Sequence, residues 1–350
     1  MKDYSEVFGY DELKDYIHKR IITDKVAHAV LLVGDAGSGK RTIAKRLART
    51  IQCENVVKRV EDHSAKPEDI VPCDKCHSCL QAISGNNPDI ITIDRLDGKK
   101  KISVDDIREK LINDITIKPY SCRFKVYIIV GAENLTVEAQ NAILKTLEEP
   151  PEYALIMLLA STEKLLLPTV VSRCEVVNIP PMPDDQVEEY FTTHFGNDPD
   201  VTPEDIRFAE AFADGKIGRG SITFTNPDFR KLKRDVLEVV LNIEDLTLNE
   251  MMGYVRRADY YNELGIDYFF DLMMLWYRDL LLFESTRDVN GLLFKDYLTD
   301  ISRQAQTLSY EGIDRITDAI NKARERLHAN VSFETVMELL FLTINESMKG

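Results

Sequence analysis

Short apolar runs alternate with amphipathic stretches over residues 29–179. The runs are rich in Val, Ile and Leu, as buried strands are, and in chain order they read AVLLV, DIITI, KVYIIV, ALIMLLA and EVVNI. The stretches between them repeat apolar residues at helical spacing, which predicts helices over residues 40–51, 103–117 and 136–148. Strands that alternate with helices build a mostly parallel sheet with helices on both faces, so this part is predicted to be an α/β domain.

The strand pattern ends at a stiff Pro-Pro-Met-Pro segment, residues 180–183. Helical periods follow at residues 184–195 and 203–213 and, beyond an Asn-Pro break at 226–227, at residues 229–241, 260–283, 310–327 and 332–347. We therefore predict an α/β domain at residues 1–179, a three-helix domain at 180–225 and an all-α C-terminal domain at 226–350.

The stretch VGDAGSGKRT, residues 33–42, follows the first predicted strand and opens a helix. Gly34, Gly37 and Gly39 would let backbone N–H groups surround phosphate oxygens, and Lys40 would add a positive charge. The stretch therefore predicts a phosphate loop, with a purely structural glycine turn as the alternative. Whether the loop holds ATP, ADP or no nucleotide is open at this point.

The position after Lys40 normally carries a hydroxyl that binds Mg²⁺, but here it is Arg41. A guanidinium cannot ligate a cation, and Thr42 points about 100° further round the helix. The third strand should end in an acid that also holds the metal, whereas residues 130–131 are Val-Gly and Glu133 comes too late. We therefore expect no Mg²⁺ site and no ATP hydrolysis.

A cysteine cluster lies between the phosphate-loop helix and the second strand, at residues 53–79. Four thiolates form a closed tetrahedral site for a structural Zn²⁺ ion, and the predicted ligands are Cys53, Cys73, Cys76 and Cys79. An iron–sulfur cluster and free buried cysteines are the alternatives, and His63 or His77 could replace one sulfur. Cys122 and Cys174 are predicted to be packing residues.

The composition is that of a globular protein, with 44% hydrophobic and 29% charged residues. The formal charge of −15 argues against a free-standing nucleic-acid binder, which needs a concentrated basic surface. The first residues lack the apolar segment of a secretory signal, and charges interrupt the most apolar helical run. We therefore expect a cytoplasmic protein that has no membrane partner.

Several stretches resemble, in order, the AAA+ subunits of the bacterial DNA polymerase III clamp loader. They are HAVLLVGDAGSGK, the cysteine module leading into SGNNPDI, KVYIIVGAENLTVEAQNAILKTLEEPPE, LLAST, TVVSRCEVV and LHANVSFETVMELL. The run ILKTLEEPP is close to a distinctive string of this family. The resemblance covers essentially the whole chain and implies an α/β AAA+ domain, an all-α lid and an all-α collar domain used in oligomerisation.

Within this family, Arg41 and the Val-Gly pair resemble the delta-prime subunits and depart from gamma and tau, which keep a Thr and an Asp-Glu pair. Residues 172–174, Ser172-Arg173-Cys174, resemble the motif that delta-prime presents to a neighbouring ATPase subunit. The resemblance implies that Arg173 acts there in trans as an arginine finger. The alternatives are an active gamma-like ATPase subunit and a zinc-dependent nucleic-acid binder.

The resemblance also implies partners and a location, a nucleoid-associated replisome in the cytoplasm. The partners are gamma or tau and delta, with the sliding clamp and primer–template DNA met through the assembled complex. Lys99-Lys100-Lys101 and Arg123 are candidate DNA contacts. The polymerase activity of the holoenzyme, a nucleotidyltransferase complex, would belong to other chains. Thr162 falls where active relatives sense the γ-phosphate and is expected to be vestigial. Gly218 stands where ATPase subunits carry a nucleotide-sensing Arg, with Arg219 one residue out of register, so this part of the nucleotide machinery departs from the active pattern as well.

Overall fold

A computed structural model describes residues 8–23, 25–95, 101–243, 245–258, 265–329 and 331–349. The chain divides into two compact units. The first extends to Tyr190 and includes residues 215–218, and the second comprises residues 191–214 and the chain from Arg219 onward. The boundaries of these two units differ from those of the three predicted domains. The three-domain division therefore stays a prediction.

Five parallel strands form the centre of the first unit, within its described residues. They are β1 Ala29–Val33, β2 Ile90–Ile93, β3 Lys125–Val130, β4 Ala154–Ala160 and β5 Glu175–Asn178. Their order in the sheet is β2-β3-β4-β1-β5. Val33 pairs with Ala160 of β4 and Asn178 of β5, so the chain leaves β1 beside the ends of both neighbours.

Helices connect the strands and, together with loops and short turns, make up the rest of the described chain. Those interspersed with the strands are α1 Asp11–Ile22, α2 Lys40–Gln52, α3 Glu54–Glu61, α4 His77–Ser84, α5 Val104–Ile107, α6 Val137–Glu148 and α7 Pro168–Val171. Those that follow are α8 Asp184–Phe195, α9 Pro203–Ala213, α10 Ile217–Thr225, α11 Phe229–Leu241, α12 Leu248–Ala258, α13 Gly265–Thr286, α14 Leu298–Thr307, α15 Tyr310–His328 and α16 Phe333–Lys349. The predicted fold class, α/β followed by all-α, is confirmed.

The sheet is covered on both faces because alternate strand residues point in opposite directions. Leu31 and Leu158 belong to a buried cluster that includes Ile143 of α6. Leu32 belongs to a second cluster, which includes Leu47 of α2. Every residue of β4 is buried, as expected for a central strand of a parallel sheet.

The predicted α-helix at residues 103–117 is wrong from residue 108 onward. Regular α-helix ends at Ile107 and gives way to a π-helical turn and a 3₁₀ turn. The Nζ of the buried Lys125 donates to the backbone oxygens of Asp114 at 2.9 Å and Ile117 at 3.2 Å. A buried ammonium must find acceptors, and Lys125 takes these two carbonyls together with the carboxylate of Asp114 at 2.8 Å, so the end of the segment is held outside a regular α-helix.

The second unit has a core of its own, in which Trp276 of α13 is fully buried. The indole N–H of Trp276 donates to Gln304 of α14 at 2.9 Å. Neither α12 nor α14 was predicted, and the start of the predicted helix at residues 260–283 lies outside the described residues. None of the described helices is both long enough and apolar enough to span a bilayer.

Candidate functional site

The predicted phosphate loop joins β1 to α2. Gly37 and Gly39 have φ values of +80° and +87°, in the left-handed region that favours glycine. Gly39 immediately precedes the first turn of α2. The loop therefore reaches the helix N-terminus through backbone conformations that its glycines permit.

Lys40 folds back onto the loop. Its Nζ donates to the backbone oxygens of Gly34 and, at 2.6 Å, of Asp35. Burial lowers the pKa of Lys40, and the nearby carboxylates of Glu133 and Asp35 oppose that shift. The ammonium is thus held by loop carbonyls in a setting that is partly shielded from water.

Arg41 is paired with an acid at the same end of the sheet. Its guanidinium lies 3.3 Å from the carboxylate of Asp94, the residue that follows β2 by one position. Both side chains are substantially exposed, so the pair adds little to stability. It does place a cation–carboxylate pair at the position where a metal-binding hydroxyl would stand.

The end of β3 carries no carboxylate, and the chain turns back there. Gly131 has φ +65° and precedes a short 3₁₀ turn that contains Glu133. Glu133 accepts hydrogen bonds from the backbone N–H of Ser161 at 3.2 Å and from its hydroxyl at 2.6 Å. Glu133 therefore reaches the end of β4, close enough to influence the pKa of Lys40. No local pattern in the sequence points to Ser161 as its partner.

Residues 215–218 pack against the phosphate loop within the first unit. The backbone N–H of Gly218 donates to the carbonyl of Gly37 at 3.0 Å, and Lys216 forms an ion pair with Asp35 at 3.0 Å. A Cβ atom at Gly218 would lie 2.8 Å from the Gly37 oxygen. The segment therefore approaches the loop more closely than a residue with a side chain could.

Two further residues of the predicted nucleotide machinery make local contacts. The hydroxyl of Thr162, after β4, accepts from the backbone N–H of Lys164 at 3.3 Å. Arg219, in the second unit, forms an ion pair with Asp271 at 3.0 Å and lies over the ring of Phe212. The guanidinium of Arg219 is thus engaged within its own unit.

The four predicted metal ligands come together. The sulfurs of Cys53, Cys73, Cys76 and Cys79 all lie within 4.8 Å of one another. Backbone N–H groups donate to three of these sulfurs at 3.3–3.5 Å. In the described chain this is the one group of such side chains that could hold a metal, and it includes neither His63 nor His77.

The cysteine geometry fits a single tetrahedral ion. Zinc–sulfur bonds of about 2.3 Å place sulfurs roughly 3.8 Å apart, within the observed spread. Burial raises the pKa of Cys73, but hydrogen bonds from two backbone N–H groups and two neighbouring thiols lower it to about 7 overall. Burial raises the pKa of Cys79. A bound cation would offset the cost of holding that thiol as a thiolate.

The Ser-Arg-Cys motif lies between α7 and β5. Arg173 is on the surface, with a third of its side chain exposed, and its Nε donates to Glu148 at 2.7 Å. Ser172 is also exposed, and its hydroxyl donates to the carbonyl of Thr169 at 3.2 Å. Cys174 packs against the core, and burial raises the pKa of its thiol to about 12. Arg173 is therefore the charged group of the motif that a partner could reach.

The candidate DNA contacts are described only in part. Lys99 and Lys100 lie outside the described residues, and Lys101 is exposed. The guanidinium of Arg123 lies 5.1 Å from the ring centre of Phe124. These observations leave DNA contact as a prediction.

Comparison with known proteins identifies relatives along the whole chain. A family described as "DNA polymerase III, delta subunit" matches residues 9–183. DNA polymerase III subunit delta' of Bacillus subtilis is 25% identical over 339 residues, 94% of each chain, and that of Pseudomonas aeruginosa is 27% identical over 306 residues, 85% of this chain and 87% of that one. Subunit tau of B. subtilis is 25% identical over 368 residues, 98% of this chain but 62% of tau. The predicted resemblance to delta-prime subunits is confirmed, and similarity extends to tau.

Proposed function

The chain belongs to the family of DNA polymerase III delta subunits, and from that premise we propose that it acts as the delta-prime subunit of a clamp loader. It assembles with gamma or tau and with delta, and it helps to load the sliding clamp onto primed DNA. It does not hydrolyse ATP itself. Its contribution to hydrolysis is Arg173, which reaches the γ-phosphate bound by a neighbouring subunit.

The observation that carries the proposal is the ion pair between Arg41 and Asp94 at 3.3 Å. A phosphate-loop ATPase needs an oxygen at the position of Arg41 to hold Mg²⁺ against the β- and γ-phosphates. A guanidinium offers only donors and repels a cation. The residues present there do not fit Mg²⁺.

The contacts around the loop support the same conclusion. Lys40 donates to loop carbonyls, and Gly218 closes against Gly37. Phosphates could enter only if Lys40 exchanged these acceptors for phosphate oxygens. We therefore propose that the loop is a vestigial or weak nucleotide site with no role in turnover.

The surface position of Arg173 supports its role as a finger. An arginine that stabilises charge on a phosphoryl group bound by a neighbouring subunit must reach beyond its own subunit. Arg173 follows the short helix α7 and retains access to solvent. Cys174 anchors the motif by packing against the core.

We also propose a structural Zn²⁺ site formed by the four clustered cysteines. Four protein thiolates leave no open coordination position, so the ion would have no direct part in chemistry. Ligands of an iron–sulfur cluster sit on separate irons and are therefore more widely spaced than ligands of one ion. Sulfurs that all lie within 4.8 Å of one another favour the single ion.

The helical region from residue 226 is proposed to be the collar that holds the ring together, with residues 180–225 as the lid. In α16, Leu339 and Leu342 are 46% and 53% exposed, three residues apart on one side of the helix. Neighbouring exposed leucines are typical of a surface that another subunit covers.

The first test of the proposal is phosphate release by the isolated chain with Mg²⁺ and ATP. We expect no turnover above background. The second candidate function, a gamma-like ATPase, is favoured by the position of Glu133 near Lys40 and by the similarity to tau. It predicts Mg²⁺-dependent release that Lys40→Ala abolishes, and that result would replace our proposal.

The finger role is tested in a loader reconstituted with gamma or tau and delta. Arg173→Ala should lower the ATPase of the complex and leave assembly intact. Arg108→Ala is a matched control, because Arg108 is another exposed arginine of the first unit and pairs only locally with Asp105 among the described residues. Unchanged turnover with Arg173→Ala would remove the finger role.

A further inference from the structure

We infer that Glu148 is a positioning residue for Arg173: it orients the guanidinium so that its remaining N–H groups face the neighbour's phosphate. The inference rests on the proposed role of Arg173 as a finger. Glu148 belongs to the run ILKTLEEPP, to which the function proposed above gives no task.

The contact joins two elements that are distant in sequence. One carboxylate oxygen of Glu148 accepts from Nε of Arg173 at 2.7 Å and also contacts Nη2. The third nitrogen, Nη1, donates to the carbonyl of Thr169 at 2.8 Å. All three guanidinium nitrogens are therefore held, which fixes the plane of the group.

The hydrogen-bond count leaves donors for a ligand. A guanidinium has five N–H groups, and Glu148 and Thr169 take three of them. The second N–H of Nη1 donates to the Ser172 hydroxyl in a long hydrogen bond of 3.4 Å, which a phosphate oxygen could replace, and Nη2 keeps one N–H beyond its contact with Glu148. N–H groups on the two terminal nitrogens of one guanidinium can bind two oxygens of a phosphate.

The base of this arrangement is rigid. Glu148 is the last residue of α6, whose Ile143 and Leu147 are buried in the core. The buried Gln140 of the same helix accepts from the backbone N–H of Leu167, just before α7, at 2.7 Å. The two helices are thus joined near both ends, and Glu148 presents its carboxylate from a fixed support.

Stability does not account for the pair. Glu148 is 47% exposed and Arg173 is 33% exposed, and ion pairs at such positions contribute little to folding. A long flexible arginine, however, loses rotamer freedom when it must be ordered at a binding site. Because Glu148 already orders Arg173, this loss of entropy does not have to occur when Arg173 binds the neighbour's nucleotide.

The experiment uses the complete loader, reconstituted with gamma or tau and delta, and measures steady-state ATPase with clamp and primed DNA. Glu148→Ala should lower kcat, and its fold-decrease should be at least about half of the fold-decrease that Arg173→Ala causes. The KM for ATP should stay unchanged. Glu148→Gln keeps an acceptor oxygen and should lose less. Glu149→Gln is the matched control, because the adjacent Glu149 is exposed and has no ion pair among the described residues.

The double variant decides whether Glu148 acts through Arg173. If it does, Glu148→Ala combined with Arg173→Ala should turn over no more slowly than Arg173→Ala alone, because coupled residues are not additive. Multiplied losses, or a Glu148→Ala loader as fast as wild type or faster, would overturn the inference and leave the finger role standing. No effect of Arg173→Ala would instead reject the proposed function. If Glu148→Ala fails to assemble, Glu148→Gln carries the same comparison.

Discussion

At the scale of single residues, two arginines show how position decides what one chemical group does. Arg41 lies beside the phosphate loop and pairs with Asp94, while Arg173 lies on the surface and pairs with Glu148. In the proposed function, the first guanidinium stands where an ATPase has a metal-binding hydroxyl. The second retains donors that can serve another site. One residue type thus accounts for both the proposed loss and the proposed contribution.

The cysteine site gives a residue-scale prediction. Cys79→Ser should remove the bound zinc and lower the free energy of unfolding by about 3 kcal/mol or more, because metal binding supplies folding energy. Atomic absorption and thermal melting would measure both effects. Cys122→Ser is the control, since Cys122 lies outside the cluster and should keep one zinc per chain. Zinc retained by Cys79→Ser, or iron in the native protein, would contradict the assignment.

The sequence alone could point to candidate residues that belong to a short local motif. The phosphate loop, the cysteine spacing and the Ser-Arg-Cys motif are each read within about ten positions. It could not identify Asp94, Ser161 or Glu148 as partners, because each meets its counterpart only after the sheet has formed. The partners of a functional residue are set by topology, which no local pattern records.

At the scale of elements, the strands were predictable because apolar, β-branched runs suit a sheet buried on both faces. The helix over residues 103–117 was not: its α-helical part ends at Ile107, and at the far end the carbonyls of Asp114 and Ile117 accept from the buried Lys125. The short helix α12 carries Gly253 near its middle, which weakens the helical signal. A tertiary contact in the first case and a central glycine in a short helix in the second account for these misses.

The contact of Gly218 with the phosphate loop gives an element-scale prediction. Gly218→Ala puts a Cβ 2.8 Å from a backbone oxygen, so we expect a loss of about 1–3 kcal/mol of stability. Gly253→Ala is the control, because a Cβ there meets nothing within 4 Å and should be neutral or slightly stabilising in a helix. Urea unfolding of both variants measures the difference. Equal stability of the two would show that residues 215–218 do not pack against the loop in solution.

At the scale of the whole molecule, charge predicts where DNA is met. A chain with a formal charge of −15 repels a polyanion unless basic residues are concentrated on one surface. We expect the isolated chain to bind primer–template DNA more weakly than about 10 µM at physiological salt, the range of non-specific contacts. Fluorescence anisotropy would measure this. Tight binding that falls steeply with salt would instead support the zinc-dependent nucleic-acid binder.

The central claim is that this chain's own phosphate loop has no role in ATP hydrolysis, whereas its Arg173 acts at the nucleotide site of a neighbouring subunit. The most direct measurement is the steady-state ATPase of the reconstituted loader in which this chain alone carries either Lys40→Ala or Arg173→Ala. We predict that Arg173→Ala lowers turnover at least about twofold, while Lys40→Ala leaves it within about 1.5-fold of wild type. The reverse pattern, in which Lys40→Ala abolishes turnover and Arg173→Ala does not change it, would contradict the account.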